Sequence, residues 1–486
     1  MKKLLLGLLL MTGFIVKAQV YNNEWIDYSK TYYKFKVGKT GLYRISQSVL
    51  SAAGLGNTSA DYFQLWRNGK QIPIYTSVSS GTFSASDYIE FWGEMNDGKP
   101  DRELYRDPNW QLNDKWSLET DTAAYFLTVN TDPTSNLRLQ NTANNVSGTS
   151  MTPDAYFMYT AGKYFRDRLN PGYAVNVGEY MYSSSYDKGE GWSSSDIVTS
   201  FTDCTPTFGK NVFVFSNLNV YKGGPAPSPK FKIAISGNQI NQRRYYAKVN
   251  SDSVVGNTVD FFNYILDSTI FSLNSLNGSL DTVSVFNYTS AFSTGCPVSD
   301  RMTVHKYEIT YPRTFNFNGQ LNFEFTLAAS AVGNYLQITN FASGSSTPVL
   351  YDLTNGKRYV ADLSGAPILK FVLDPSLATR NLVLVNEDAG NVNSINSMEA
   401  RNFINYTDAS NEGDYLIISD PLLFTASDGT NPVDEYRKYR SSAAGGSYSA
   451  KIYLVDQIID QFGFGIKKNP AAVRNFLRFA RNRYSP

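Results

Sequence analysis

Along most of this chain apolar and polar residues alternate in short runs, and glycine, asparagine or proline closes nearly every run. That period belongs to half-buried strands, not to helices. Tyr32–Val37, Asp87–Trp92 and Tyr125–Val129 alternate in this way, and Gly41–Ile45 opens a strand after a Lys39-Thr40-Gly41 turn. Phe63–Trp66 and Gln71–Tyr75 flank Asn68-Gly69. That residue pair suits a type I′ turn, where both central positions need positive φ, so a hairpin is predicted there. Further strands are predicted at Asn211–Phe215, Lys230–Ser236, Tyr245–Val249, Val283–Asn287, Val304–Thr310, Leu321–Leu327 and Tyr335–Ile338. The three prolines of Gly223–Pro229 exclude a central strand and predict a loop.

Near the C-terminus the pattern changes. Asp414–Ser419 and Ala450–Val455 are continuous apolar runs, as expected of buried parallel strands. Asn431-Pro432 and Asn469-Pro470 each place an N-cap residue before a proline at the first helical position. Val473, Phe476, Leu477 and Ala480 then recur at helical spacing. Two strands and two helices do not close a doubly wound core. The segment therefore reads as the opening of an α/β domain or as an odd tail on a β protein.

The fold class expected is mainly β: a β-rich N-terminal domain and a β-sandwich, followed by the start of an α/β domain. The expected divisions are 1–18, 19–145, 155–345, 346–410 and 411–486, with the polar stretch Asn144–Pro153 as a linker. The 155–345 part is expected to be a sandwich of the jelly-roll or immunoglobulin-like kind. In the small unit 346–410, Ile368–Leu373 is expected to pair with Asn381–Val385 around Asp374-Pro375, and a short helix to lie between Ser394 and Asn405.

Residues 1–18 carry an address. Met1-Lys2-Lys3 is basic, Leu4–Val16 is apolar, and Val16-Lys17-Ala18 precedes Gln19 as a loose cleavage pattern. This predicts a secretory signal peptide and export to the periplasm, the outer membrane surface or the extracellular space. No later apolar run is long enough to span a membrane. With 44 Lys and Arg against 43 Asp and Glu, the near-neutral charge gives no reason to expect nucleic acid or an anionic membrane as partner. Nothing in the sequence calls for a fixed oligomer. Cys204 and Cys296 could form one disulfide in an exported chain, but spacing alone does not show that they meet.

Candidate chemistry is sparse. The single histidine, His305, lies in the strand-like Met302–Thr310. A Cys–His pair would have to combine it with Cys204 or Cys296, both set in turn-rich β sequence, so a strand residue and a disulfide are the plainer readings. One His and two Cys at these spacings match no zinc pattern. Asn96–Glu103 and Asp187–Trp192 offer oxygen ligands suited to calcium, but the first carries Lys99 and Arg102 and lacks the full loop spacing. Trp92, Trp110, Trp116 and Trp192 could stack on sugars, though core packing is the plainer reading. No phosphate loop or dinucleotide fingerprint occurs.

Several stretches together resemble one family. Gly41–Ile45, Asp87–Gly93, Thr122–Thr128 and Ile309–Arg313 resemble strands of the N-terminal and middle β-domains of type IX secretion system sortases of the PorU-like kind. Asp414–Ser419 with Pro421-Leu422, then Val455-Asp456, Phe462–Gly465 and Ala472–Leu477 resemble the start of the gingipain-type cysteine peptidase domain. The resemblance implies β domains preceding a caspase-like α/β peptidase domain, here present only at its start. It implies thiolate attack on a peptide carbonyl, with histidine assisting. It implies removal of a C-terminal secretion signal from cargo proteins and attachment of the cargo to surface lipopolysaccharide, with cargo and secretion components as partners. No position here matches the family's histidine and cysteine, so no catalytic, cofactor or metal residue is carried over and the chain as it stands is expected to be inactive. The competing reading is a noncatalytic cell-surface β-sandwich module that binds cargo or carbohydrate.

Overall fold

A computed structural model describes residues 20–173, 185–289 and 299–485. The chain forms two compact units. One holds Lys30–Asn402 with Ile466–Pro470; the other holds Phe403–Gly465, Ala471–Pro486 and the N-terminal segment ending at Ser29.

The larger unit consists of paired sheets. In the first pair, Thr31–Val37 and Ala123–Val129 lie at the centre of a five-stranded sheet, and Gly41–Ser46 and Tyr88–Gly93 at the centre of a four-stranded one. Phe35, Ile45, Leu65, Phe91, Tyr125 and Leu127 fill the space between them. The predicted hairpin is present: Arg67 pairs with Lys70, and Asn68 and Gly69 have φ of 48° and 70°. The helix expected between Ser394 and Asn405 is not. Val392–Ser394 pairs in parallel with Leu42–Arg44, and Glu399–Asn402 pairs antiparallel with Thr31–Lys34. The return strands complete both sheets, and these long-range ladders override the helix propensity of Met-Glu-Ala-Arg.

In the second pair, the long strand Asp300–Arg313 lies between Lys230–Gly237 on one side and Ile197–Thr202 and Phe157–Tyr164 on the other. The facing sheet runs Lys210–Ser216, Leu280–Tyr288, Gln242–Val249, Asp252–Asp260. Phe231, Ile233, Tyr245, Val283, Val304 and Tyr307 lie in the core between them. In the third pair, Asn322–Leu327, Arg380–Val385 and Val349–Asp352 face Asn334–Phe341 and Ile368–Leu373 across Phe317, Phe325, Leu336, Phe371 and Leu384. Ile368–Leu373 and Arg380–Val385 therefore do not pair with each other as expected. Each alternates towards the same core from an opposite sheet, because alternation specifies a face and not a partner.

The smaller unit has the predicted α/β form. Tyr415–Ser419 and Ala450–Leu454 pair in parallel. Helix Pro432–Ser441 is capped by Asn431, whose side chain accepts from the Asp434 amide at 3.0 Å. Helix Pro470–Arg483 buries Ala472, Asn475, Phe476, Phe479 and Ala480. A further helix, Val455–Phe462, follows the second strand directly, and its Ile458 and Phe462 are buried one turn apart. Tyr406, Tyr453, Ile458, Phe462, Phe476 and Phe479 form the core, joined by Tyr21 from the N-terminal segment.

Candidate functional site

The Ala234/Ile235 stretch pairs with the long strand across a β-bulge. Ala234 aligns with Lys306 and Ile235 with Val304, so His305 is the extra residue. A bulge re-aims its side chain, and here it points the imidazole at a serine. His305 Nε2 lies 2.8 Å from Ser236 Oγ, and Nδ1 lies 3.0 Å from the Trp192 carbonyl. The carbonyl can only accept, so Nδ1 carries the proton and Nε2 accepts from Ser236. Asn170 Nδ2 donates to Ser236 at 3.2 Å, and Thr303 Oγ1 lies 3.0 Å away. The alignment is that of a serine–histidine dyad, but its surroundings are those of a core. Ser236 and His305 are both fully buried. Among the described residues no carboxylate touches the ring, and its partners are the Ser236 hydroxyl and the Trp192 carbonyl. Burial pulls the imidazole down to about 4, against the raising effect of the Trp192 carbonyl. The network is therefore a buried tie between strands. The sequence placed Ser236 at the end of the Lys230–Ser236 strand but did not show that it meets His305, because the bulge in the partner strand shifts the register.

Cys204 is disulfide-bonded, and no cysteine among the described residues is free. Cys296 lies outside the described residues. A Cys204–His305 pairing is thus not available as thiolate chemistry.

The two acidic loops meet. Tyr105 bridges to Tyr186 in parallel, the Tyr186 amide donates to the Leu104 carbonyl at 2.9 Å, and Tyr105 Oη donates to the Glu190 carbonyl at 2.9 Å. The carboxylates turn to separate partners. Asp101 accepts from the Leu118 amide at 2.6 Å and from Ser117 Oγ at 3.2 Å. Glu190 accepts from the Asp187 amide at 2.8 Å, and Asp97 pairs with Lys99 at 2.7 Å. Burial pushes Asp101 up to about 7 despite its two hydrogen bonds. Burial also lifts Glu190 to about 7, countered by the Asp187 amide and assisted by the Asp187 carboxylate. Among the described residues no group of three or more His, Cys, Asp or Glu side chains converges as a metal site.

Three of the four candidate tryptophans are tied into the fold by their ring N–H, while Trp110 ends the Pro108–Trp110 turn, which buries no residue. Trp92 Nε1 donates to Glu324 at 2.8 Å, Trp116 Nε1 to the Tyr164 carbonyl at 3.2 Å, and Trp192 Nε1 to the Ser117 carbonyl at 2.9 Å. The Arg166 guanidinium lies 5.0 and 5.1 Å from the Trp116 and Trp192 rings, filling the space between them. Trp92 also borders a cleft of about 420 Å³ with Tyr159, Arg313, Gln320, Asn322 and Glu324.

In open α/β sheets chemistry gathers at the carboxyl ends of the strands. Here those ends present Ser419, Asp420 and Asp456. Asp420 accepts from the Leu422 amide at 2.9 Å and so caps the Pro421–Leu423 turn, leaving Leu422 and Leu423 87% and 59% exposed. This rim supplies carboxylates and apolar surface but no thiol and no imidazole.

This parallel pair and its helices coincide with a recognisable class. Residues 408–486 match the model of peptidase family C25. The described fold matches dimeric latent PorU from Porphyromonas gingivalis at a TM-score of 0.53 and 12% identity, over 93% of this chain and 40% of that chain. The resemblance to gingipain-type peptidases is thereby borne out, as a C25 segment at the C-terminus of a PorU-like, mainly β fold. The chain spans 40% of the length of the PorU chain it matches. Weaker likenesses carry no argument. The CBM36-1 domain of a xylanase from the hindgut metagenome of Trinervitermes trinervoides matches at TM-score 0.16 and 7% identity, over 24% of this chain and 87% of that one. An FMN-binding β-glucuronidase from Facaelibacterium prausnitzii L2-6 matches at TM-score 0.15 and 13% identity, over 38% and 28%. No curated protein matches the sequence. No helix among the described residues is long and apolar enough to cross a membrane.

Proposed function

We propose that this chain is the N-terminal portion of a secreted gingipain-like cysteine peptidase, acting as a type IX secretion system sortase that cleaves the C-terminal signal of cargo proteins. The observation that carries this reading is the C25 match over the parallel strand pair at 408–486. The PorU-like fold of the remainder supports it. On this reading residues 1–18 direct export, the β domains precede the peptidase domain, and cargo proteins and secretion components are the partners. The chemistry of the whole protein is attack of a thiolate on the peptide carbonyl, with backbone amides holding the oxyanion. Among the described residues no thiolate–imidazole dyad is available to that reaction. His305 is sealed in a core and Cys204 is oxidised.

The test is to read the coding frame past codon 486. A frame continuing into further strands, with a His and a Cys each following a buried strand, supports the proposal. A stop codon, confirmed by an intact mass matching residues 19–486, overturns it in favour of a noncatalytic module that binds cargo or carbohydrate.

A further inference from the structure

The sheet Lys210–Ser216, Leu280–Tyr288, Gln242–Val249, Asp252–Asp260 turns one face to the core and one outward. Arg243, Tyr245, Ala247 and Val249 are buried, so Arg244, Tyr246 and Lys248 share the outer face. Tyr288 aligns with Arg244 and Phe286 with Tyr246 on the neighbouring strand. Lys210 aligns with Phe286 from the other side, and Val212 and Val214 beyond it are 47% and 46% exposed. Lys210, Arg244 and Lys248 make no ion pair among the described residues. The acid on this face, Asp260, stands at the far end opposite Gln242.

The aromatic side chains sharpen the charge preference. Tyr246 and Phe286 stack at 4.5 Å with planes 10° apart, and Tyr288 meets Tyr246 edge-on at 6.2 Å. The stack takes up one face of each of its two rings, and the edges of the rings carry the positive rim of the quadrupole. A cleft of about 590 Å³ opens here between Arg244, Tyr246, Lys248, Val254, Gly256 and Tyr288. Gly256 lies opposite Tyr246 and has no side chain to fill it. The cleft runs beside Asp252–Asp260, the last strand of its sheet.

We propose that this cleft docks an extended acidic polypeptide segment, laid along the Asp252–Asp260 strand with its carboxylates on Arg244 and Lys248. Those two cations are four residues apart on one strand, about 13 Å at the rise of a β-strand. Acidic side chains at positions i and i+4 of an extended segment match that spacing. A terminal strand offers main-chain groups to a polypeptide, as in strand addition.

The experiment is fluorescence anisotropy at low salt with the full chain. The probe is a labelled peptide Thr-Glu-Thr-Val-Thr-Glu-Thr, beside the same peptide with Lys for Glu and beside labelled polygalacturonate. The acidic peptide should bind at least about tenfold more tightly than the lysine peptide and weaken as salt rises. The double change Arg244→Gln, Lys248→Gln should abolish that preference, while Lys36→Gln, an exposed lysine on another sheet, should leave it intact. Both substitutions sit on exposed strand surface, and an unchanged melting curve verifies the fold. Equal binding of the two peptides, or equal binding by the wild type and the double variant, overturns the proposal. No measurable affinity for the acidic peptide, with labelled polygalacturonate bound in its place, overturns it in favour of a saccharide.

Discussion

The β unit and the α/β unit solve burial in different ways. In the β unit every major sheet has a facing sheet, and two of its deepest cations are matched by buried carboxylates. Arg243 meets Asp300 at 2.7 Å and Arg380 meets Asp352 at 2.8 Å, all four side chains wholly buried. In the α/β unit the strand Tyr415–Ser419 is only half-buried, and helix Pro432–Ser441 buries no residue at all. Leu422, Leu423, Tyr439 and Leu477 stand exposed. Its core is one aromatic cluster that recruits Tyr21 from the start of the described chain, packed edge-on against Phe479 at 5.5 Å. The contrast teaches that the β unit holds itself together through many closed layers, whereas the α/β unit depends on a few rings.

The largest effect expected is in the β unit. Arg243→Ala leaves Asp300 buried without its cation, and such a loss costs about 3–5 kcal/mol. Urea unfolding followed by tryptophan fluorescence measures it. A cost under about 1 kcal/mol would mean that Asn287 and Thr289, which also donate to Asp300 at 2.8 Å, suffice to hold it. Next comes Phe476→Ala, a cavity in the centre of the α/β core worth about 3–4 kcal/mol. Hydrogen exchange should show the 415–485 amides losing protection while those of 230–237 and 300–313 keep theirs. Loss across both units would erase the contrast.

The pH dependence sharpens it further. His305 titrates near 4 in the folded chain against about 6.5 unfolded. The β unit should therefore carry no penalty from it above pH 6.5 and lose roughly 3 kcal/mol as pH falls from 6.5 to 4. Asp101, raised to about 7, works in the opposite direction. Its neutral form suits the fold, so stability from it is present below pH 4 and is lost as pH rises to 7, by roughly 4 kcal/mol. The two slopes oppose each other in the wild type. His305→Gln should leave stability falling with pH between 4 and 6.5, and Asp101→Asn combined with Glu190→Gln, since burial lifts both carboxyls to about 7, should leave it rising. Denaturant midpoints across that range would show whether the signs are right. The smallest effect is Asn68→Ala at the first turn, where φ is 48°. About 1 kcal/mol is expected from the left-handed conformation alone, read as a small shift in the β unit's melting temperature.

What was legible in the sequence was local. Alternation located the Tyr32–Val37, Lys230–Ser236 and Val283–Asn287 strands, and Asn68-Gly69 marked its hairpin. Asn431-Pro432 marked a helix start that the structure contains. What was not legible was non-local. Ile368–Leu373 and Arg380–Val385 have equally good patterns for pairing with each other or for facing each other, and only the other strands decide between them. The return of 392–402 to the first sheets depends on partners more than 350 residues away, as in the Asn393 Nδ2 bond to the Leu42 carbonyl. The Ser236–His305 contact depends on a bulge, which no period reveals. Helix Val455–Phe462 was hidden because no turn residue separates it from the strand before it.

The central proposal is that this chain, PorU-like in fold with a C25 segment at 408–486, carries no working thiolate–imidazole pair among its described residues. It is tested most directly by incubating the purified chain with a fluorogenic peptide library, beside a thiol-directed peptidase probe. The account predicts no turnover and no labelling of Cys204 unless its disulfide is first reduced. Turnover that a cysteine-peptidase inhibitor abolishes, from the unreduced chain, would contradict it.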